Sequence, residues 1–229
     1  MTDIAVNLKS IRERIATAAI RSGRRSSDIT LIAVTKTHSV DRILELKPLG
    51  VQCIGESRMQ ELSGKVDALK GNFEIHFIGH LQTNKVRQIV NMVDSIESVD
   101  SFHLAQALDA ECLKQDRFLP VLVQVNTSEE SAKSGIEPDK LPDLLKQMAT
   151  LKQVKVEGLM TLAMLTEDPE KVRHCFRLLR SLQQETLALG IETINLNALS
   201  MGMSDDFEIA IEEGATRVRI GSVLFGKRN

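Results

Sequence analysis

The sequence predicts an α/β fold, a single (β/α)8 barrel of the TIM type with an extra helix in front of it. Three observations carry this. Eight short apolar runs alternate with helical patterns along the chain. The length of 229 residues suits a barrel, which needs roughly 200 to 250. No linker, low-complexity stretch or repeat of fixed sequence splits the alternation, so residues 1–229 read as one domain. Strand–helix alternation implies parallel strands covered by helices. An open doubly wound sheet is the competing arrangement, and eight units without a split favour closure.

The leading helix shows in Ile4, Leu8, Ile11 and Ile15, whose spacing marks one helical face, with Gly23 as its stop. The expected strands are Ile29 to Thr35, Val51 to Gly55, Glu74 to Gly79, Ser95 to Val99, Pro120 to Asn126, Val154 to Leu162, Thr193 to Leu199 and Thr216 to Ile220. Between them, Ser39 is expected to cap a helix reaching Leu49, and Asp100 one reaching Leu113. Asp168–Pro169 opens a helix whose face is Val172, Phe176, Leu179 and Leu182, closed by Gly190. Ser204 is expected to cap another, with Asp205 and Asp206 suiting the positive end of its dipole.

Composition excludes several classes. The net charge is −2 with acids and bases intermixed, so no basic patch announces nucleic acid or an anionic membrane. Cys53, Cys112 and Cys175 are odd in number and far apart, which suits a reducing cytoplasm rather than a disulfide framework. Charges break the N-terminal segment early, so neither a signal peptide nor a membrane span is expected. A monomer is expected, because no long apolar surface segment is left over. The sequence contains no tyrosine.

In a barrel, chemistry sits where strands end and helices begin. The first junction, Leu31 to His38, ends an apolar strand in Lys36, which shares a face with Ile32 and Val34. On an inward face, a desolvated amine becomes a nucleophile toward carbonyls; on an outward face it only reaches water. The last junction runs Thr216 to Val223 into Gly221–Ser222, and the preceding one reads Ser200-Met201-Gly202-Met203-Ser204. Glycine and serine on adjacent strands can hold a phosphate, or can form ordinary turns with a helix cap. Arg219 shares a strand face with Arg217; one of the pair is expected to be solvated, since an inner arginine needs an acceptor. His76 and His80 straddle a strand, which sets them about 13 Å apart, so no metal is expected between them. Gln82, Asn84 and Lys85 either line a mouth or cap a helix. In Gly55 to Glu61, Ser57 is read as a cap and Glu56 as a mouth residue.

Taken together, these junctions resemble the pyridoxal phosphate homeostasis protein family, small barrels akin to the N-terminal domain of alanine racemase. The resemblance rests on AVTK at 33–36, GESRMQE at 55–61, HFIGHLQTNK at 76–85, SMGMSDD at 200–206 and VRIGS at 218–222. It implies that Lys36 carries pyridoxal 5'-phosphate (PLP) as a Schiff base and that Ser200, Gly221 and Ser222 bind the phosphate. Met201 and Gly202 would shape that loop, and Arg219 would face the pyridine nitrogen. Ser57 departs from the family's usual Asn, which puts a cofactor contact there in doubt. The role implied is intracellular PLP (vitamin B6) homeostasis, with PLP-dependent apoenzymes as the corresponding partners and without robust catalysis. An arginine on the ring nitrogen weakens the electron sink, and alanine racemase also uses a tyrosine from a second domain. A low-activity amino-acid racemase is the alternative. A Schiff-base aldolase of the sugar-phosphate barrel type is a third reading, since it too needs a lysine and a phosphate site.

Overall fold

The computed structural model describes residues 3–128, 130 and 134–226. Helix α1 (Ile4–Arg21) leads into β1 (Thr30–Val34), α2 (Val40–Leu44) and β2 (Cys53–Glu56). Short helices α3 (Met59–Ser63) and α4 (Val66–Leu69) precede β3 (Glu74–Phe77), and α5 (Val86–Ile89) precedes β4 (Ser95–Val99). Then come α6 (Phe102–Lys114), β5 (Leu119–Gln124), α7 (Leu141–Met148), β6 (Val154–Met160) and α8 (Pro169–Leu187). The chain finishes with β7 (Ala198–Ser200), α9 (Phe207–Glu212), β8 (Arg217–Ile220) and α10 (Ser222–Phe225). The strands form a closed barrel in sequence order, all neighbours parallel, with β1 pairing to β8. The barrel and its leading helix are thus as the sequence predicts.

Local chemistry sets where the elements stop. Helix α1 begins at Asp3, whose carboxylate accepts from the Ala5 and Val6 amides, and Gly23 takes a left-handed φ of 70° just past its end. Ser39 caps α2, but that helix stops at Leu44 and only turns continue to Gly50, because Pro48 disfavours helical backbone before it. The cap of α6 is Ser101, not Asp100; its hydroxyl accepts from the Leu104 amide. Asp168 caps α8 with Pro169 in the first turn, as expected. Strand β7 is only three residues long. Asn195 turns its side chain onto the Asn197 amide, a local bond that competes with the ladder and cuts the predicted run short.

The main core lies between strands and helices. Ala33, Ile54, Ile75, Ile96, Val121, Val123 and Leu159 point outward from the barrel into it and meet the helix faces. Helix α1 contributes Ile4, Leu8, Ile11 and Ile15, all buried, and packs against α9 and α10. Inside the barrel, the apolar layer shrinks to Leu122, Met160 and Ala198. Ile32 and Val34 of β1 also face inward, but much of the remaining interior is polar, and that is where the function lies. Gly158 on β6 is forced by the same crowding, since a Cβ there would stand 2.0 Å from the Ala198 carbonyl oxygen. Gly158→Ala is therefore expected to destabilise the fold by about 3 kcal/mol, read as a lower urea midpoint at unchanged slope.

Candidate functional site

At the C-terminal mouth of the barrel, beside the β1–β8 seam, lies a cavity of about 190 Å³. Lys36, Arg219, Gly221 and Ser222 all line it, together with Val34, His38, Met203, Ser204 and Asp205. Lys36 lies just beyond β1 and is half-buried, with Val34 beside it in the same lining. Gly221 sits across the seam from Val34; a Cβ on it would come within 3.2 Å of the Val34 side chain. Met201 and Gly202 are buried behind the lining. Gly202 has φ 93°, accepts from the Arg219 amide, and leaves no room for a Cβ against Ala210. Ser200 is fully buried deeper in the barrel, and its hydroxyl donates to Glu97 over 2.5 Å. Ser204 is the hydroxyl of that segment that reaches the cavity, and it accepts from the Gly221 amide at 3.3 Å. It does not cap α9, whose N-cap position is Asp206.

The loop carrying Lys36 is clamped on both sides by the two acids of GESRMQE. Glu56 is buried on the outer face of β2 rather than at the mouth, and accepts from the Thr35 hydroxyl at 2.7 Å. Lys65 bridges Glu56 to the Thr35 carbonyl. Burial pushes the Glu56 pKa up, opposed by Thr35 and Lys65. Glu61 accepts from the Thr37 amide at 2.6 Å. Thr37 stands at φ 69°, a left-handed conformation that costs an L residue roughly 1–2 kcal/mol. The clamp thus fixes the backbone immediately before and after the lysine. Ser57 caps nothing; the N-cap position of α3 is Arg58. Gly79 is held against Ser57, with space for no Cβ. Gln82 and Lys85 occupy the N-cap positions of a 3-10 turn (Thr83–Lys85) and of α5 without a side-chain bond, and neither they nor Asn84 line the cavity.

Both arginines of β8 turn into the barrel, so neither is the solvated outer residue expected. Arg219 donates to the Ser200 hydroxyl at 2.6 Å and to the Thr161 carbonyl at 2.8 Å. Arg217 donates to Glu97 at 3.2 Å and to the half-exposed Glu157. Glu97, fully buried on β4, is the common acceptor: it also faces His76 Nδ1 at 2.9 Å. Burial alone would raise its pKa, but His76, Arg217 and Arg219 outweigh that and hold it at about 2. An ionised carboxylate only accepts, so His76 donates from Nδ1; burial lowers the His76 pKa, but Cys53, Glu74 and Glu97 outweigh that and raise it well above the ordinary imidazole value. Burial lowers the Arg219 pKa, with Glu97 and Asp206 opposing. A polar line thus runs from His76 through Glu97 and Ser200 to Arg219 at the mouth. The sequence signal is the alternation itself: Glu97, His76 and both arginines share the inward parity of strands whose outward residues include Ile75, Ile96, Val218 and Ile220.

This arrangement, a lysine after β1 and a Gly–Ser turn after β8 of a closed parallel barrel, defines a class. The alanine racemase N-terminal-domain family matches residues 6–229. Among curated relatives, the pyridoxal phosphate homeostasis protein of Aquifex aeolicus is 44% identical over 223 residues, covering 96% of each chain. The chain belongs to the pyridoxal phosphate homeostasis protein family. A solved Bifidobacterium adolescentis protein of unknown function superposes with a TM-score of 0.92 at 33% identity, covering 96% of this chain and 94% of that one. The structure of PipY from Synechococcus elongatus with PLP bound superposes with a TM-score of 0.86 at 34% identity, covering 98% of this chain and all of that one.

Two outcomes are expected. Glu97→Gln strands buried positive charge and should cost about 3–5 kcal/mol in denaturant unfolding. In the unaltered chain the folded Glu97 pKa is about 2 against an ordinary 4.5. Its contribution to stability is complete above the ordinary value and is lost as pH falls toward 2; acid titration of Glu97→Gln should lack that component. Thr37→Gly should leave stability unchanged or raise it by up to about 1 kcal/mol, whereas Glu61→Ala should lower it.

Proposed function

We propose that this chain binds PLP in the cavity at the barrel mouth, carries it as a Schiff base on Lys36, and serves intracellular vitamin B6 homeostasis without robust turnover. The observation that carries the reading is the convergence of an amine, a guanidinium and a Gly–Ser turn on one cavity of about 190 Å³. The donor set fits the cofactor's three polar ends. Lys36 meets the aldehyde. The Gly221–Ser222 turn with the Ser204 hydroxyl suits the phosphate, framed by Met201 and Gly202, and Gly221 lets the backbone approach closely. Ser200 was expected on the phosphate; its contact with the Glu97 carboxylate repels a dianion and instead suits it to orienting Arg219. The names of the relatives and the PLP-bound PipY structure support the same cofactor.

When bound, PLP supplies an electron sink for amino-acid chemistry. Arg219 offers only N–H donors and cannot release its proton, so it favours an unprotonated ring nitrogen and a weak sink. His38, stacked on Phe225 with ring centroids 4.1 Å apart, lines the same cavity as the lysine and is an alternative proton carrier. A protein that holds PLP at an open barrel mouth and turns over little can supply it to apoenzymes or withhold it from solution. We assign it to the cytoplasm as a monomer; among the described residues no helix is long and apolar enough to cross a membrane.

The chain loaded with PLP should be yellow, and borohydride should fix the pyridoxyl group on the Lys36 peptide. Labelling of Lys85 or Lys65 instead would overturn the assignment. Lys36→Ala should keep PLP non-covalently while losing the Schiff-base absorbance. Ser204→Ala with Ser222→Ala should weaken PLP at least tenfold more than pyridoxal, and equal weakening would count against the phosphate assignment. In deuterated water, α-proton exchange should be slow across a panel of amino acids while deletion disturbs cellular B6 pools. Rapid exchange with one amino acid and unchanged pools would favour the racemase reading.

A further inference from the structure

We infer that the N-terminal end of the barrel, opposite the mouth that holds Lys36, is a binding site for a zinc-type divalent cation, held by Cys53, Glu74 and His76. The inference is independent of the cofactor reading. The barrel register places Cys53 opposite Glu74 on neighbouring strands, and His76 follows two residues on from Glu74 on the same inward face. One donor atom from each lies within 4.8 Å of the others. His76 Nε2 is 3.2 Å from Glu74 Oε1, and Cys53 Sγ is 3.5 Å from Glu74 Oε2. Zinc bond lengths of about 2.0–2.3 Å at tetrahedral angles require ligand separations of about 3.4 Å for N to O and about 3.6 Å for S to O. Two of the three pairs, taken through different oxygens of Glu74, therefore already lie near the separations an ion would impose.

Two further observations point to an ion. His76 is 1% exposed, and its Nε2 faces the Glu74 carboxylate at 3.2 Å without hydrogen-bond geometry; a buried ring nitrogen left without a well-aligned partner is costly. Its Nδ1 faces the Glu97 carboxylate at 2.9 Å, the arrangement by which metal-binding histidines are oriented and kept in the right tautomer. Access exists: Cys53 also lines a cavity of about 430 Å³ beside Leu31, Gln52 and α1. The Glu74 side chain is half-exposed, so a water can fill the fourth position. On binding, the Cys53 thiol and the His76 Nε2 each release a proton to solvent, leaving a thiolate and a neutral imidazole that keeps its proton on Nδ1. Thiolate and carboxylate then balance the dication, while Glu97 stays paired with Arg217. Thiolate, imidazole and carboxylate together select zinc over calcium or magnesium.

The test uses the full chain stripped with a chelator and titrated with Co²⁺ as a probe, then with Zn²⁺. Wild type should give intense tetrahedral cobalt bands in the visible, a thiolate charge-transfer band in the near ultraviolet, and displacement of both by Zn²⁺. X-ray absorption of the zinc form should show one sulfur at about 2.3 Å and nitrogen or oxygen at about 2.0–2.2 Å. Cys53→Ser should abolish the charge-transfer band, and Glu74→Gln should weaken Zn²⁺ at least tenfold. Cys175→Ser should change nothing. Glu97→Gln should lower affinity about 10–100-fold. Circular dichroism of each metal-free variant checks folding, and Glu74→Gln, being half-exposed, keeps the test decisive if a core variant fails. Absence of the thiolate band in wild type, or equal Zn²⁺ affinity in wild type and Cys53→Ser, would overturn the site.

Discussion

One buried carboxylate organises the inside of this barrel. Glu97 has no access to water, and an uncompensated anion there would cost more than the domain's whole stability. It is compensated by His76 from β3, Ser200 from β7 and Arg217 from β8. These strands are not all neighbours, so the carboxylate ties together parts of the barrel that backbone ladders alone do not join. An apolar interior of the same volume could be as stable. What the polar one adds is orientation: Arg219 reaches the mouth with its guanidinium already braced by Ser200 and the Thr161 carbonyl.

The outer face of the strands does complementary work. Glu56 and Glu61 leave the cavity to others and hold the backbone on either side of Lys36. The lysine is thus aimed by carboxylates that never enter the site, and the left-handed Thr37 turn is kept by a charge-assisted bond. The barrel has two polar systems, one inside and one beneath the helices, meeting at the loop after β1.

Much of this was legible beforehand. Alternation of apolar runs with helical patterns gave all eight strands, because a parallel strand buried on both faces reads as a continuous apolar run. Lys36, Gly221 and Arg219 stood out as strand-end residues with special chemistry. Less legible were positions where two local solutions compete. Ser101 and Asp100 are both good caps, and only the extended backbone at Ser101 decides between them. Ser204 looked like a cap and is turned to Gly221 instead. The resemblance points to Ser200 in SMGMSDD and the local pattern makes Ser204 a cap, but β7 ends at Ser200, which leaves that residue inside the barrel and Ser204 at its mouth. The parity of β4 turns Glu97 inward, but its donors His76, Ser200 and Arg217 lie on other strands, at separations that no local spacing reveals.

The cavity straddles the seam where the first strand meets the last. Lys36 follows β1 while Gly221 and Ser222 follow β8, and the two strands become neighbours only when the barrel closes. Helix α1 straps the same seam, through Asn7 to the Leu224 carbonyl and Arg14 to Glu208. A chain emerging from the ribosome therefore holds its lysine early and its Gly–Ser turn last, with some 180 residues between them to be ordered first. Whatever ligand both ends grip can be held only by a completed barrel, and its binding energy accrues wholly to the closed state. Occupancy of the mouth would therefore report that the barrel has closed.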